Sequence, residues 1–200
     1  MEIRRFRLPV LALLVLLTGC YLPARFAAEI EISRNGFYKM DFEGFVVEAY
    51  FYRDLQDGKL TQKQVNDKIE AILGDFERDG ATKDASYFGQ GAFKVKWVKS
   101  GDLLRSRMVT FVRRNEEMLS LTYLKDKGVI RVRGRALSKE QKDRLAQMGL
   151  NMQGELKVTT DAEVIDHNAT KVEKNGGVGV YTWTIQSIFD KTPQMVLALR

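Results

Sequence analysis

The stretch RFAAEIEISRNGFYKMDFEGFVVEAYFY, residues 25–52, decides the fold class. From Arg25 to Ser33 it alternates, with Phe26, Ala28, Ile30 and Ile32 on one side and Glu29 and Glu31 on the other. Period two puts every second side chain on one face, so this is a half-buried strand. Asn35-Gly36 follows, and both residues tolerate the positive φ that a tight hairpin turn requires. A second strand, long and rich in aromatics, is predicted from about Phe37 to Tyr52. Its alternation stumbles at Gly44, where a bulge would change the phase.

Beyond the hairpin, Thr61-Gln62-Lys63-Gln64 has the spacing of a capping box. Val65, Ile69, Ile72, Leu73 and Phe76 then recur at helical spacing, which predicts a helix over 62–78 ending near Gly80. Residues 92–137 read as a four-strand meander, broken at Ser100-Gly101-Asp102, Arg114-Asn115-Glu116 and Asp126-Lys127-Gly128. A second capping box, Ser138-Lys139-Glu140-Gln141, opens a short helix to about Met148. Strand-like sequence returns at Glu155–Thr160, Ala162–Asp166, Val178–Ile188 and Met195–Leu199, with a turn at Lys174-Asn175-Gly176-Gly177. Runs of strands with occasional helices give an α+β class. The expected architecture is a mainly antiparallel meander with one longer and one short helix on its apolar face.

Composition narrows the function classes. The chain has 200 residues, 44% hydrophobic and 29% charged, an ordinary globular mix that excludes disorder throughout and multispanning membrane classes. One cysteine excludes an internal disulfide framework and a cysteine-rich zinc site. With one histidine besides, most metal and nucleophile constellations are unlikely, and neither a metal nor another cofactor is expected.

The amino terminus reads as an address. Arg4, Arg5 and Arg7 form a positive n-region, and Leu8 to Leu17 an apolar run broken by Pro9. A run of this length is too short to span a bilayer and right for the core of a signal peptide. Leu17-Thr18-Gly19-Cys20 resembles the lipobox of bacterial lipoproteins. The resemblance implies cleavage between Gly19 and Cys20 and a diacylglyceryl thioether on Cys20. Residues 1–19 are then a signal peptide, 20–23 a lipidated end with a short tether, and 24–200 a single α+β domain close to the membrane. Loss of residues 1–19 takes away three arginines and one glutamate, leaving +4 of the formal +6. That mild charge does not suggest a nucleic-acid partner. Position two of the mature chain is Tyr21 rather than aspartate, which implies outer-membrane sorting, facing the periplasm, in a Gram-negative host.

A second resemblance lies toward the carboxyl end. GELKVTTD at residues 154–161, VIDHNA at 164–169 and Tyr181-Thr182-Trp183 resemble the end of LppM-like bacterial lipoproteins. The lipobox start, early hairpin and following helix fit that layout. The resemblance implies an α+β fold like that of lipid-binding domains and the binding of amphiphiles at the envelope. It supplies no catalytic residues.

Three groups of residues are candidate sites. Arg131, Arg133 and Arg135 lie on one side of one predicted strand, with Lys94 and Lys96 able to join them as a surface for anionic head groups. A solvated sheet face is the plainer reading of the same pattern. Phe42, Phe45, Tyr50, Phe51 and Tyr52 on the long strand, with Ile69, Leu73 and Phe76 on the helix, would line an apolar pocket or simply fill a core. His167 in Asp166-His167-Asn168 has no second histidine or cysteine to support metal binding and reads as a turn residue. The expected function is that of a non-enzymatic envelope lipoprotein binding a lipid or other amphiphile. The alternative is an envelope scaffold acting through a protein partner.

Overall fold

The computed structural model describes residues 21–111 and 117–199. The expected signal peptide, Gly19, Cys20 and the expected break at 114–116 lie outside the described residues.

The hairpin forms as the alternation requires. Strand β1 (Tyr21–Ile32) pairs antiparallel with β2 (Phe37–Glu48), from Ile32↔Tyr38 down to Tyr21↔Glu48. Gly36 takes φ 83° in the turn and donates its N–H to the Ser33 carbonyl at 2.9 Å. The irregularity falls on β1, between Pro23 and Arg25, and not at Gly44. Gly44 has a different role: a Cβ there would lie 2.3 Å from the Arg25 carbonyl oxygen. A side chain is excluded by the close approach of the two backbones.

The long second strand stops early. Glu48 is almost fully buried and caps helix α1 (Ala49–Gln56), its carboxylate accepting from the Tyr50 and Phe51 N–H groups at 3.4 and 2.5 Å. The β-favouring Tyr-Phe-Tyr run is therefore helical, because Phe51 is fully buried from that helix. Tertiary packing overrides the local preference of aromatic residues for strands. Helix α2 (Gln62–Glu77) has both arms of its predicted capping box, and only Phe76 on it is fully buried. An unpredicted strand, β3 (Thr82–Gly89), follows.

The expected meander divides between two sheets. Strand β4 (Ala92–Asp102) pairs with β2 and β3, and Ser100-Gly101-Asp102 lies within it rather than breaking it. The turn α3 (Leu103–Ser106) leads through Arg107, at φ 61°, into β5 (Met108–Phe111) of the other sheet. There β6 (Leu119–Leu124) and β7 (Val129–Gly134) continue the meander. Helix α4 (Lys139–Gln147) precedes β8 (Gln153–Thr160), β9 (Glu163–His167), β10 (Lys171–Asn175), β11 (Val178–Ile185) and β12 (Gln194–Ala198).

The seven-stranded sheet has the order β10-β11-β8-β1-β2-β4-β3, and the five-stranded sheet β5-β6-β7-β12-β9. The pairing is antiparallel except between β1 and β8. The α+β, mainly antiparallel class holds, but helices are not all that covers the apolar face. The two sheets meet there: Phe111 lies 4.0 Å from Phe42 and 5.2 Å from Trp97, ring centre to ring centre. Helices α1 and α2 cover the adjoining part, with Phe51 and Phe76 each about 6.5 Å from Phe93. Helix α4 packs elsewhere. Its Leu145 joins a smaller core of Leu22, Val47, Ala49, Leu150 and Ile188.

The hairpin turn is tied to the end of β8 by charge. Arg34 donates to Asp161 through its backbone N–H at 2.7 Å and its Nε at 2.8 Å. The Arg34 guanidinium, then its backbone N–H, holds the Asp161 carboxyl below its ordinary 3.8. A depressed folded value means stability that is present above 3.8 and lost as pH falls through the bound value. The pair is exposed, so Asp161→Asn is expected to cost no more than about 1 kcal/mol at pH 7. Urea unfolding should show that gap closing below 3.8; a gap equally large in strong acid would refute the ion pair.

Candidate functional site

An apolar cavity lies where the first residues of β1 approach the second sheet. Tyr21, Leu22, Pro23 and Phe26 form one wall. Phe42, Phe111 and Leu119 close the side toward the main core, and Leu156 with Ile185 come from the neighbouring strands. The loop before β12 contributes Thr192 and Pro193. Its volume is about 60 Å³. That is space for roughly four to six water-sized spheres, enough for part of one acyl chain and too little for a two-chain lipid.

Two glycines shape the wall. Phe26 pairs with Gly44 on β2 and with Gly154 on β8. A Cβ at Gly154 would sit 2.4 Å from the Phe26 carbonyl oxygen and 2.6 Å from its ring. The Phe26 ring stacks on Phe42 at 5.8 Å and is left only partly buried, at the cavity surface.

The expected pocket residues do not share one site. Phe42 alone reaches the cavity. Phe51 and Phe76 are buried in the main core, with Ile69 and Leu73 packed partly exposed against it. Tyr50 carries the Arg53 guanidinium over its ring at 5.2 Å. Phe45 and Tyr52 instead line a wide, open groove of about 860 Å³ with Arg25, Phe88, Gln90 and Leu150. The alternation that grouped these aromatics fails where β2 gives way to α1.

The basic set also divides. Lys94 and Lys96 are exposed between the buried residues Phe93, Val95 and Trp97, and so face away from the core on the seven-stranded sheet. Arg131 and Arg133 alternate with Ile130 and Val132, and face away from the same core on the other sheet. Two sheets packed face to face turn their outer faces in opposite directions. Lys96 is paired with Glu43 at 3.4 Å, as expected of a solvated face. Arg135 leaves the stripe: it follows β7, lines the cavity, and is the one charged side chain among the described lining residues.

His167 accepts the Ala169 N–H on Nδ1 at 3.2 Å and packs edge-on to Tyr181. The organising residue is its neighbour. Asn168 Oδ1 accepts from the buried Trp183 indole at 2.7 Å and from the Gln194 N–H at 2.9 Å, while Nδ2 donates to the Thr192 carbonyl at 2.8 Å. From the sequence, Asn168 has only a local turn role, satisfying backbone groups, because the partners it reaches are 15 to 26 residues away. Among the described residues, no three His, Cys, Asp or Glu side chains gather as a metal site. Nor is any described helix long and apolar enough to cross a membrane.

No protein-family model matches the chain. No curated protein matches it. Among solved structures, it is similar to the folded domain of the Mycobacterium tuberculosis LppM protein, at 13% identity and a TM-score of 0.47, over 91% of this chain and 93% of that one. It is also similar to the M1 zinc metallopeptidase of Deinococcus radiodurans, at 9% identity and a TM-score of 0.35, over 90% of this chain and 42% of that one. Both scores fall below 0.5, and neither likeness carries a functional conclusion.

Proposed function

We propose that this chain is a cell-envelope lipoprotein, anchored through Cys20, whose α+β domain binds a lipid or other amphiphile without chemistry on it. The observation that carries the reading is the position of the apolar cavity. Its wall begins at Tyr21, the residue after the lipobox cysteine, and β1 starts there with no linker between. An anchored cysteine would hold the cavity at the membrane surface, where one acyl chain could pass into it. In a Gram-negative host, Tyr21 after the cysteine supports outer-membrane placement facing the periplasm.

Native mass spectrometry of the chain extracted from bacterial membranes tests both parts. A diacylglyceryl mass on Cys20, absent in Cys20→Ser, is the expected anchor. A further lipid adduct should be lost in Ala28→Leu, which fills the cavity. An adduct retained in a folded Ala28→Leu protein would reject this cavity as the binding site.

The envelope-scaffold reading is favoured by one feature. Phe88, 72% exposed, stands on the edge strand β3 and packs against Phe45 at 4.8 Å. An exposed aromatic on an unpaired strand edge suits a protein partner. Crosslinking from position 88 in cells to a single envelope protein would support this second reading.

A further inference from the structure

We propose that the cavity selects a single-chain amphiphile with an anionic oxygen head, and that Arg135 is the residue that holds the head. The proposal rests on the cavity being an amphiphile site and adds the ligand's charge, its chain number and the side chain responsible.

Arg135 is fixed at the cavity wall by its backbone. Its N–H donates to the Met118 carbonyl at 3.0 Å, and that of Gly134 to Pro193 at 3.0 Å. The side chain is only partly exposed, and its Nη1 is shut off from solvent with no hydrogen-bond partner. A guanidinium carries five donors and no acceptor. A guanidinium N–H out of contact with water and without an acceptor is costly, and an anionic oxygen is the acceptor that also meets the side chain's charge. None of the described residues lining the cavity carries a carboxylate, and the other walls are largely aromatic and aliphatic. Arg131 and Arg133 on the preceding strand are exposed to water and have no such deficit.

Size sets the rest of the ligand. A cavity of about 60 Å³ accepts part of one narrow chain and leaves no room for a second. An apolar chain along Phe26, Leu119 and Leu156 covers the apolar wall and brings its head to the Arg135 guanidinium. A fatty carboxylate and an alkyl phosphate share this chemistry. Arginine suits both, because its planar donors match either group with two parallel hydrogen bonds.

The test uses the full chain carrying Cys20→Ser, so that no lipid of its own competes, titrated by calorimetry with dodecanoate, dodecyl phosphate and dodecanol below their micellar concentrations. The two anions are expected to bind at least about ten-fold more tightly than dodecanol. Arg135→Met is expected to abolish that preference, and Arg135→Lys to restore part of it. The tighter of the two anions then identifies the head group. Equal binding of anions and alcohol by the unsubstituted Arg135 protein overturns the proposal while the cavity reading stands, and needs no variant to fold. An Arg135→Met protein that keeps the preference also overturns it. Failure of all three probes to bind removes the cavity reading, and this proposal with it.

Discussion

Phe111→Ala is expected to destabilise the protein by roughly 3–5 kcal/mol, the largest effect of any single truncation considered. Phe111 is fully buried at the end of β5, and its ring is one contact between the two sheets. It meets Phe42 at 4.0 Å and Trp97 edge-on at 5.2 Å, both on the seven-stranded sheet. Truncation removes aromatic area from each of these contacts and leaves a void beside the existing cavity. The surrounding strands are held by their ladders and can collapse only partly, so most of the void persists. For a chain of this size the melting temperature should fall by about 6–20 °C. Phe37, 60% exposed, is the control, and Phe37→Ala should stay within about 0.5 kcal/mol of the unsubstituted protein. A Phe111→Ala loss below about 1 kcal/mol would mean that the two sheets do not share the core described.

Gly154→Ala is expected to cost about 1–3 kcal/mol or more, as is Gly44→Ala, for a reason unrelated to φ. Neither glycine has a positive φ. A Cβ at Gly154 would lie 2.4 Å from the Phe26 carbonyl oxygen, and one at Gly44 would lie 2.3 Å from the Arg25 carbonyl oxygen and 2.6 Å from the Phe26 Cα. The obstruction in both cases includes backbone, which a change of side-chain rotamer does not move. Phe26→Ala should therefore fail to rescue either variant, although it removes the ring beside Gly154. Chemical denaturation of the two single and two double variants decides this. Rescue by Phe26→Ala would locate the obstruction in the ring instead. The three positions pair directly across β2, β1 and β8, so their effects should not add.

The elements that the sequence revealed share a property. Each carries its own chemistry or its own alternation. Asn35-Gly36 and the two capping boxes act over four residues or fewer, and the residues that decide them are adjacent in the chain. Strands β1 and β7 show their register in the sequence because one face is buried and the other wet. The two unforeseen strands of the large sheet, β3 and β10, are its edges. All five residues of β10 are exposed, and β3 has no fully buried residue. With no exposed–buried contrast on β10, and only the half-buried Ala85 and Tyr87 turned to the core on β3, the alternation is too weak to read. Both form because a neighbouring strand offers unpaired backbone groups.

The candidate site was less legible. Phe42 and Arg135 were singled out for other reasons, one as part of an aromatic strand and the other as part of a basic stripe. Their presence around one cavity depends on pairs such as Phe42 with Phe111, far apart in sequence. The Asn168 hub was hidden for the same reason.

By itself, the sequence determined an α+β, mainly antiparallel chain with a hairpin first, a capped helix after it and a lipobox-like start. Periodicity and capping are local, and they act before any distant contact forms. The tertiary structure alone decided that the meander splits between two sheets, that Tyr50 to Tyr52 are helical, and that Arg135 leaves its stripe for an apolar wall. Those outcomes turn on which surfaces meet. Burial of Phe51, the contact of Phe111 across the sheets and the loss of a partner for one guanidinium nitrogen are properties of the packed chain, not of any short window within it.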